Sequence, residues 1–106
     1  MRVLVVEDDA ATRAAILSAL EARRHETVGC ADAESAWRAL GPEEAAIPFD
    51  LALLDTALPD QDGLTFCRQF RRHPAGRHAV VIAVTADDRL IRRCAGTRFA
   101  NLVKAL

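Results

Sequence analysis

The sequence has no apolar run long enough to cross a bilayer; its longest, residues 79–84, is far shorter than the roughly 20 residues a membrane helix needs. A secretory leader is not expected either, because Met1-Arg2-Val3-Leu4-Val5-Val6-Glu7 passes from one basic residue through four apolar ones into carboxylates, with no hydrophobic segment and cleavage site. A cytoplasmic location is the expectation. Cysteine is scarce: Cys30, Cys67 and Cys94 are an odd number, widely spaced, with no C-x-x-C pair and no histidine at ligand spacing, which argues for free buried thiols rather than a disulfide framework or a zinc site. Excess charge of one sign is lacking too. With 14 basic and 15 acidic residues in 106, the chain carries no electrostatic footprint for nucleic acid. What is present, about half apolar and a quarter charged residues, is the composition of one ordinary globular domain, expected to span residues 1–106.

Val3-Leu4-Val5-Val6 is a continuous aliphatic run, the pattern of a strand buried on both faces as in a parallel sheet. Ala14, Ile16, Leu17, Leu20 and Ala22 then recur at helical spacing. A short strand is expected over residues 27–30 and a helix over 33–40, with Ala36, Trp37 and Leu40 on one side and Gly41-Pro42 ending it. Residues 43–48 read as a loop, 51–54 as the third strand, 64–72 as the third helix and 79–84 as the fourth strand. Strict alternation of strands and helices predicts an α/β fold with a parallel sheet. Residues 91–106 fit either a helix or a helix followed by a short strand; Gly96, placed to end a helix, favours a fifth strand over residues 99–103.

In an open parallel sheet, ligands bind beyond the carboxyl ends of the strands. The first strand runs into Glu7-Asp8-Asp9, the third into Asp55 and the fourth into Thr85, while Lys104 follows the proposed fifth. Parallel strands would bring these side chains to one edge. Clustered carboxylates repel one another unless a cation joins them, and an all-oxygen hard site suits Mg²⁺. Mg²⁺ takes few protein carboxylates and completes its shell with water and phosphate oxygens, so the cluster fits phosphoryl chemistry. Asp55 would be the nucleophile, forming an aspartyl-phosphate, with Lys104 and Mg²⁺ neutralising charge.

The strings Val5-Val6-Glu7-Asp8-Asp9, Leu53-Leu54-Asp55-Thr56-Ala57-Leu58-Pro59-Asp60-Gln61-Asp62-Gly63, Val84-Thr85-Ala86 and Leu102-Val103-Lys104 resemble the receiver domain of bacterial response regulators. The resemblance runs from residue 2 to the chain end and is most specific from Asp55 to Gly63. It implies a doubly wound, flavodoxin-like sheet of order 2-1-3-4-5. It further implies that Asp55 accepts a phosphoryl group from a sensor histidine kinase or histidine phosphotransfer protein, and that Asp8, Asp55 and the Ala57 carbonyl bind Mg²⁺, with Glu7 acting mainly through metal-bound water. Thr85 and the Ala86 N–H would contact the phosphoryl group and Lys104 would pair with it. A receiver of this kind acts on no separate substrate and is a phosphorelay switch rather than an enzyme.

The C-terminal part departs from the family pattern. Ala105 replaces the usual proline after the lysine, Asn101 replaces an aromatic residue, the stretch from Thr85 to Lys104 is short, and the usual final helix is expected to be missing. A C-terminally shortened receiver with an uncovered apolar sheet face is therefore expected, which implies a homodimer, a partner helix, or a sequence cut from a longer chain. These departures keep open a degenerate receiver that acts as a phosphorylation-independent interaction module.

Simpler roles compete at single residues. Asp8 or Asp9 would serve as a helix N-cap, Thr85 would cap the following helix, and Lys104 would be a solvated lysine. His25, His73 and His78 read as surface residues, Trp37 as packing, and the arginines of the third helix as a solvated face. Ser18 and Ser35 have no paired histidine for a hydrolase triad. A haloacid-dehalogenase-like phosphatase would need an aspartate where Ala57 stands.

Overall fold

Aliphatic runs two residues wide on each face of the pleat cannot be solvated, and here they pair with one another. The computed structural model describes residues 1–85 and 99–103. In chain order the elements are β1 (Arg2–Val6), α1 (Ala10–Ala22), β2 (Glu26–Cys30), α2 (Ala33–Leu40), a 3-10 turn (Glu43–Ala45), β3 (Leu51–Asp55), α3 (Gly63–Arg72), β4 (Val80–Thr85) and β5 (Phe99–Val103). All adjacent strands are parallel, in the order β2-β1-β3-β4-β5. This is the α/β doubly wound sheet that the resemblance implied. The tail ambiguity resolves to strand at Phe99–Val103, while the shortened fourth helix, Gly96 and Cys94 lie outside the described residues.

Register sets which residues share a face. Leu4 lies beside Ala52, and Ala52 beside Val81; with Val6 and Leu54 they pack against Ala36 and Leu40 of α2 and Phe66 and Phe70 of α3. The phenylalanine rings of α3 stack with centroids 6.0 Å apart. The opposite face carries Val5, Leu53 and Ile82 in register. There α1 supplies only half-buried Ile16, Leu17 and Leu20 and has no fully buried residue. Its close seat depends on Gly29, where an added Cβ would stand 2.6 Å from a Leu17 methyl. Val80, aligned with Leu51 on this face, is 56% exposed, so among the described residues the sheet is covered much better on one side than on the other.

Among the described residues, each strand-to-helix turn ends in an aspartate N-cap. Asp9, Asp32 and Asp62 accept hydrogen bonds from the backbone N–H groups of Thr12 (2.8 Å), Ser35 (2.7 Å) and Leu64 (3.0 Å), satisfying donors that a helix start leaves open. The Ser35 side chain and backbone hold the Asp32 carboxyl below its ordinary pKa. Cys30 and Cys67 are buried thiols outside any disulfide, as expected. Burial first, and the Asp32 charge second, push the Cys30 thiol up, with Arg13 opposing.

Three side-chain expectations are corrected. His73 is buried: its Nδ1 accepts from the Ala75 N–H at 3.1 Å and its Nε2 lies 2.9 Å from the Gly41 carbonyl, tying the end of α3 to the end of α2. Trp37 is 46% exposed and meets His73 edge-on at 5.7 Å rather than entering the core. Arg71 is directed inward to the carbonyls of Gly76 and Ala79, whereas Arg68 and Arg72 are solvated. Short-range periodicity could not anticipate a loop that folds back onto its own helix. No helix among the described residues is long and apolar enough to cross a membrane.

Thr56 is 95% buried and its hydroxyl has no hydrogen-bond partner. A buried polar group without a partner costs roughly 1–3 kcal/mol. Thr56→Val keeps the shape and removes the hydroxyl, so urea denaturation is expected to show a gain of about 1 kcal/mol; a loss of stability would contradict this packing.

Candidate functional site

The site follows from one step of register. Val6 of β1 lies beside Leu54 of β3, so the next residues, Glu7 and Asp55, leave adjacent strands side by side at the carboxyl edge. The Glu7 backbone is fixed from both directions: its N–H donates to the Cys30 carbonyl at 3.0 Å, and its carbonyl accepts from Arg13 Nη1 at 2.8 Å. Its side chain is buried, as is that of Asp55, whereas Asp8 is exposed. One carboxylate oxygen from each of Glu7, Asp8 and Asp55 lies within 4.8 Å of the others.

At such separations each ionised pair repels by roughly 3–4 kcal/mol at the effective dielectric near a protein surface. The arrangement is therefore costly as a bare anion cluster, and its all-oxygen donors match a hard divalent cation such as Mg²⁺. The acidic triplet is divided between two tasks. Glu7 and Asp8 join the cluster, while Asp9 caps α1, taking both the Thr12 N–H at 2.8 Å and the Thr12 hydroxyl at 2.5 Å.

Asp55 is oriented by its own loop. The Ala57 N–H donates to Asp55 Oδ1 at 2.9 Å, an Asx-type turn. The loop closes through a bridge between Ala57 and Asp62 and through the Gly63 N–H, which donates to the Thr56 carbonyl at 3.1 Å. Gly63 cannot be replaced without movement, because an added Cβ would stand 2.4 Å from the Asp55 carbonyl oxygen and 2.7 Å from Thr56 Cα. The Asp-Gly pair thus caps α3 and lets its first turn press against the backbone of Asp55.

Of the remaining residues singled out from sequence, Ala57 is beside the cluster and exposed. Thr85 ends β4, one residue beyond Val84, which is paired with Asp55, and is itself paired with Val103. Ala86 and Lys104 lie outside the described residues. Two contributors were not foreseen. Arg13 holds the Glu7 carbonyl from one turn into α1, and Asp60 sends both carboxylate oxygens to α2, accepting from the N–H groups of Ala33 (3.0 Å) and Glu34 (2.9 Å). Asp60 sat inside the recognised motif, but nothing local in sequence pointed to a helix 26 residues upstream.

Gly63→Ala is expected to destabilise the protein by about 1–3 kcal/mol in chemical denaturation, the usual cost of overpacking. Gly41 provides the comparison, since it has φ +70° with ψ −171° and nothing within 4 Å of an added Cβ; Gly41→Ala should cost about 1–3 kcal/mol for that backbone conformation alone and leave the Asp55 amide resonance in place. An unshifted Asp55 resonance in Gly63→Ala would contradict the close approach.

Comparison with known proteins agrees with this architecture. The model of the response regulator receiver domain matches residues 3–100. Response regulator PleD of Caulobacter vibrioides is 34% identical over 87 residues, covering 82% of this chain and 18% of its own. A protein-glutamate methylesterase/protein-glutamine glutaminase of Cereibacter sphaeroides is 36% identical over 85 residues, 79% of this chain and 22% of its own. The chain thus spans about a fifth of the length of these curated relatives. Among solved structures, the receiver domain of a sensor histidine kinase from Pseudomonas aeruginosa PAO1, with a magnesium ion coordinated in its active site cleft, superposes with a TM-score of 0.78 at 29% identity, over 99% of this chain and 85% of that one. The receiver domain of the hybrid histidine kinase CckA gives 0.73 at 28% identity, over 100% and 87%. The chain belongs to the response regulator receiver domain family.

Proposed function

We propose that this chain is a phosphoryl-accepting switch of a two-component phosphorelay, with Asp55 as the acceptor and a sensor histidine kinase or histidine phosphotransfer protein as the donor. The observation that carries the reading is the meeting of Glu7, Asp8 and Asp55 oxygens within 4.8 Å at the carboxyl edge of the sheet. Asp8, Asp55 and the Ala57 carbonyl would hold Mg²⁺, with Glu7 acting through bound water; when present, the ion draws charge from the transferring phosphoryl oxygens. Asp55 attacks phosphorus through a carboxylate oxygen, an O–P bond forms, the donor's N–P bond breaks and the nitrogen keeps the electron pair. The Ala57 N–H, held on Oδ1, fixes the carboxylate plane for in-line attack.

Thr85, at the end of the adjacent strand, is assigned the hydroxyl that contacts the phosphoryl group, joined by the Ala86 N–H, and Lys104 the countercharge. The protein acts in the cytoplasm and turns over no separate substrate. Phosphorylation replaces the single charge of the Asp55 carboxylate with a phosphoryl group of close to two, a net gain of about one negative charge, and its output is a change of surface rather than a released product.

Incubation with acetyl phosphate and Mg²⁺, followed by intact mass measurement, tests the reading. The expected result is a gain of about 80 Da, one phosphoryl group, abolished by Asp55→Asn and by chelation of the metal. A folded, Mg²⁺-binding protein that takes up no phosphoryl group from acetyl phosphate or from a histidine kinase would contradict it and favour the phosphorylation-independent interaction module.

A further inference from the structure

An α-helix leaves its first N–H groups without intrahelical partners, and the start of α2 satisfies three of them from two places in the chain. Asp32, the helix's own N-cap, accepts from Ser35 N–H at 2.7 Å. The N–H groups of Ala33 and Glu34 go instead to the two carboxylate oxygens of Asp60, at 3.0 and 2.9 Å. Asp60 belongs to the loop between β3 and α3, three residues after Ala57. That loop is otherwise pinned near its ends, by the Ala57 and Asp62 bridge and by the Gly63 N–H on the Thr56 carbonyl. The Asp60 clamp fixes its middle, with both bonds made by a charged acceptor, the stronger kind.

We propose that Asp60 is a positioning residue for the metal site: by fastening the loop of residues 57–60 to the start of α2, it holds the Ala57 backbone where the acidic cluster needs it and so sets the affinity for Mg²⁺. The inference rests on reading Glu7, Asp8 and Asp55 as a Mg²⁺ site. Mg²⁺ demands near-ideal octahedral geometry, so a backbone ligand on a loose loop is a poor one, and groups that orient ligands are typically worth 10–100-fold in metal affinity. Linkage makes the effect reciprocal. Metal binding at the sheet edge therefore tightens the clamp and protects the first turn of α2, which carries the cluster's occupancy toward the groove lined by Trp37, Gln61 and Gln69.

The two caps provide the test, because they act on one helix end but only Asp60 touches the site loop. Calorimetric titration of the full chain with Mg²⁺ is compared for wild type, Asp60→Ala, Asp60→Asn and Asp32→Ala, with hydrogen exchange at Ala33 and Glu34. Asp60→Ala is expected to weaken Mg²⁺ binding roughly 10-fold and to abolish the metal-induced protection of both amides. Asp60→Asn, with one acceptor oxygen left, falls between, and Asp32→Ala lowers stability with wild-type Mg²⁺ affinity. Wild-type affinity in Asp60→Ala, or an equal loss in Asp32→Ala, would overturn the positioning role while leaving the metal site intact. Absence of Mg²⁺ binding by the wild type would overturn the metal site and the positioning role together.

Discussion

The register between β1 and β3 is the constraint on which the rest depends. Val6 beside Leu54 makes Glu7 and Asp55 neighbours, and a one-residue slip would turn every side chain of one strand to the other face. The register is held by apolar residues, Leu4, Val6, Ala52 and Leu54 on the side of α2 and α3 and Val5 and Leu53 on the side of α1, and by the Arg2 N–H on the Asp50 carboxylate where the two strands begin. A hydrophobic sheet thus places carboxylates where their mutual repulsion would otherwise keep them apart. The site is anchored by groups remote from its chemistry: Gly63, which admits α3 against the Asp55 backbone, and Arg13, which holds the Glu7 carbonyl.

Aspartate serves this edge in two opposed ways. At Asp9, Asp32 and Asp62 the charge meets the positive end of a helix and stabilises the fold. At Asp8 and Asp55 the same side chain joins other carboxylates, where a bound cation would relieve their mutual repulsion. Adjacent residues, Asp8 and Asp9, therefore contribute with opposite signs to the stability of the metal-free protein. Asp60 belongs to the first group by its bonds and to the second by its loop, which makes it the structural link between capping and chemistry.

Much of this was legible in the sequence. The end of α2 was set by Gly41-Pro42, and the expected span of residues 33–40 matches residue for residue. The aliphatic runs located β1, β3 and β4 to within a residue, since two-sided burial leaves little freedom. The cluster of Glu7, Asp8 and Asp55 followed from parallel strands ending at one edge. What was hidden depends on contacts between distant segments. Burial of His73 requires the Gly41 carbonyl 32 residues away, and the Asp60 clamp requires α2; neither has a local pattern. Trp37 was misjudged because helical spacing gives a direction but not the depth of the surface it meets. The division between Asp8 and Asp9 was undecided in sequence, since either residue type suits a cap, and became definite only once Thr12 was seen on Asp9.

The central claim is that the fold forces together carboxylates that a divalent cation stabilises, and Mg²⁺-dependent equilibrium unfolding tests it most directly. Binding to the native state alone should raise the unfolding free energy by about 2.7 kcal/mol at 100 times Kd, and Asp55→Asn, by removing one charge from the cluster, should be more stable than wild type without metal and insensitive to Mg²⁺. Stability unaffected by Mg²⁺ in the wild type, or an Asp55→Asn protein that is less stable in its absence, would contradict the account.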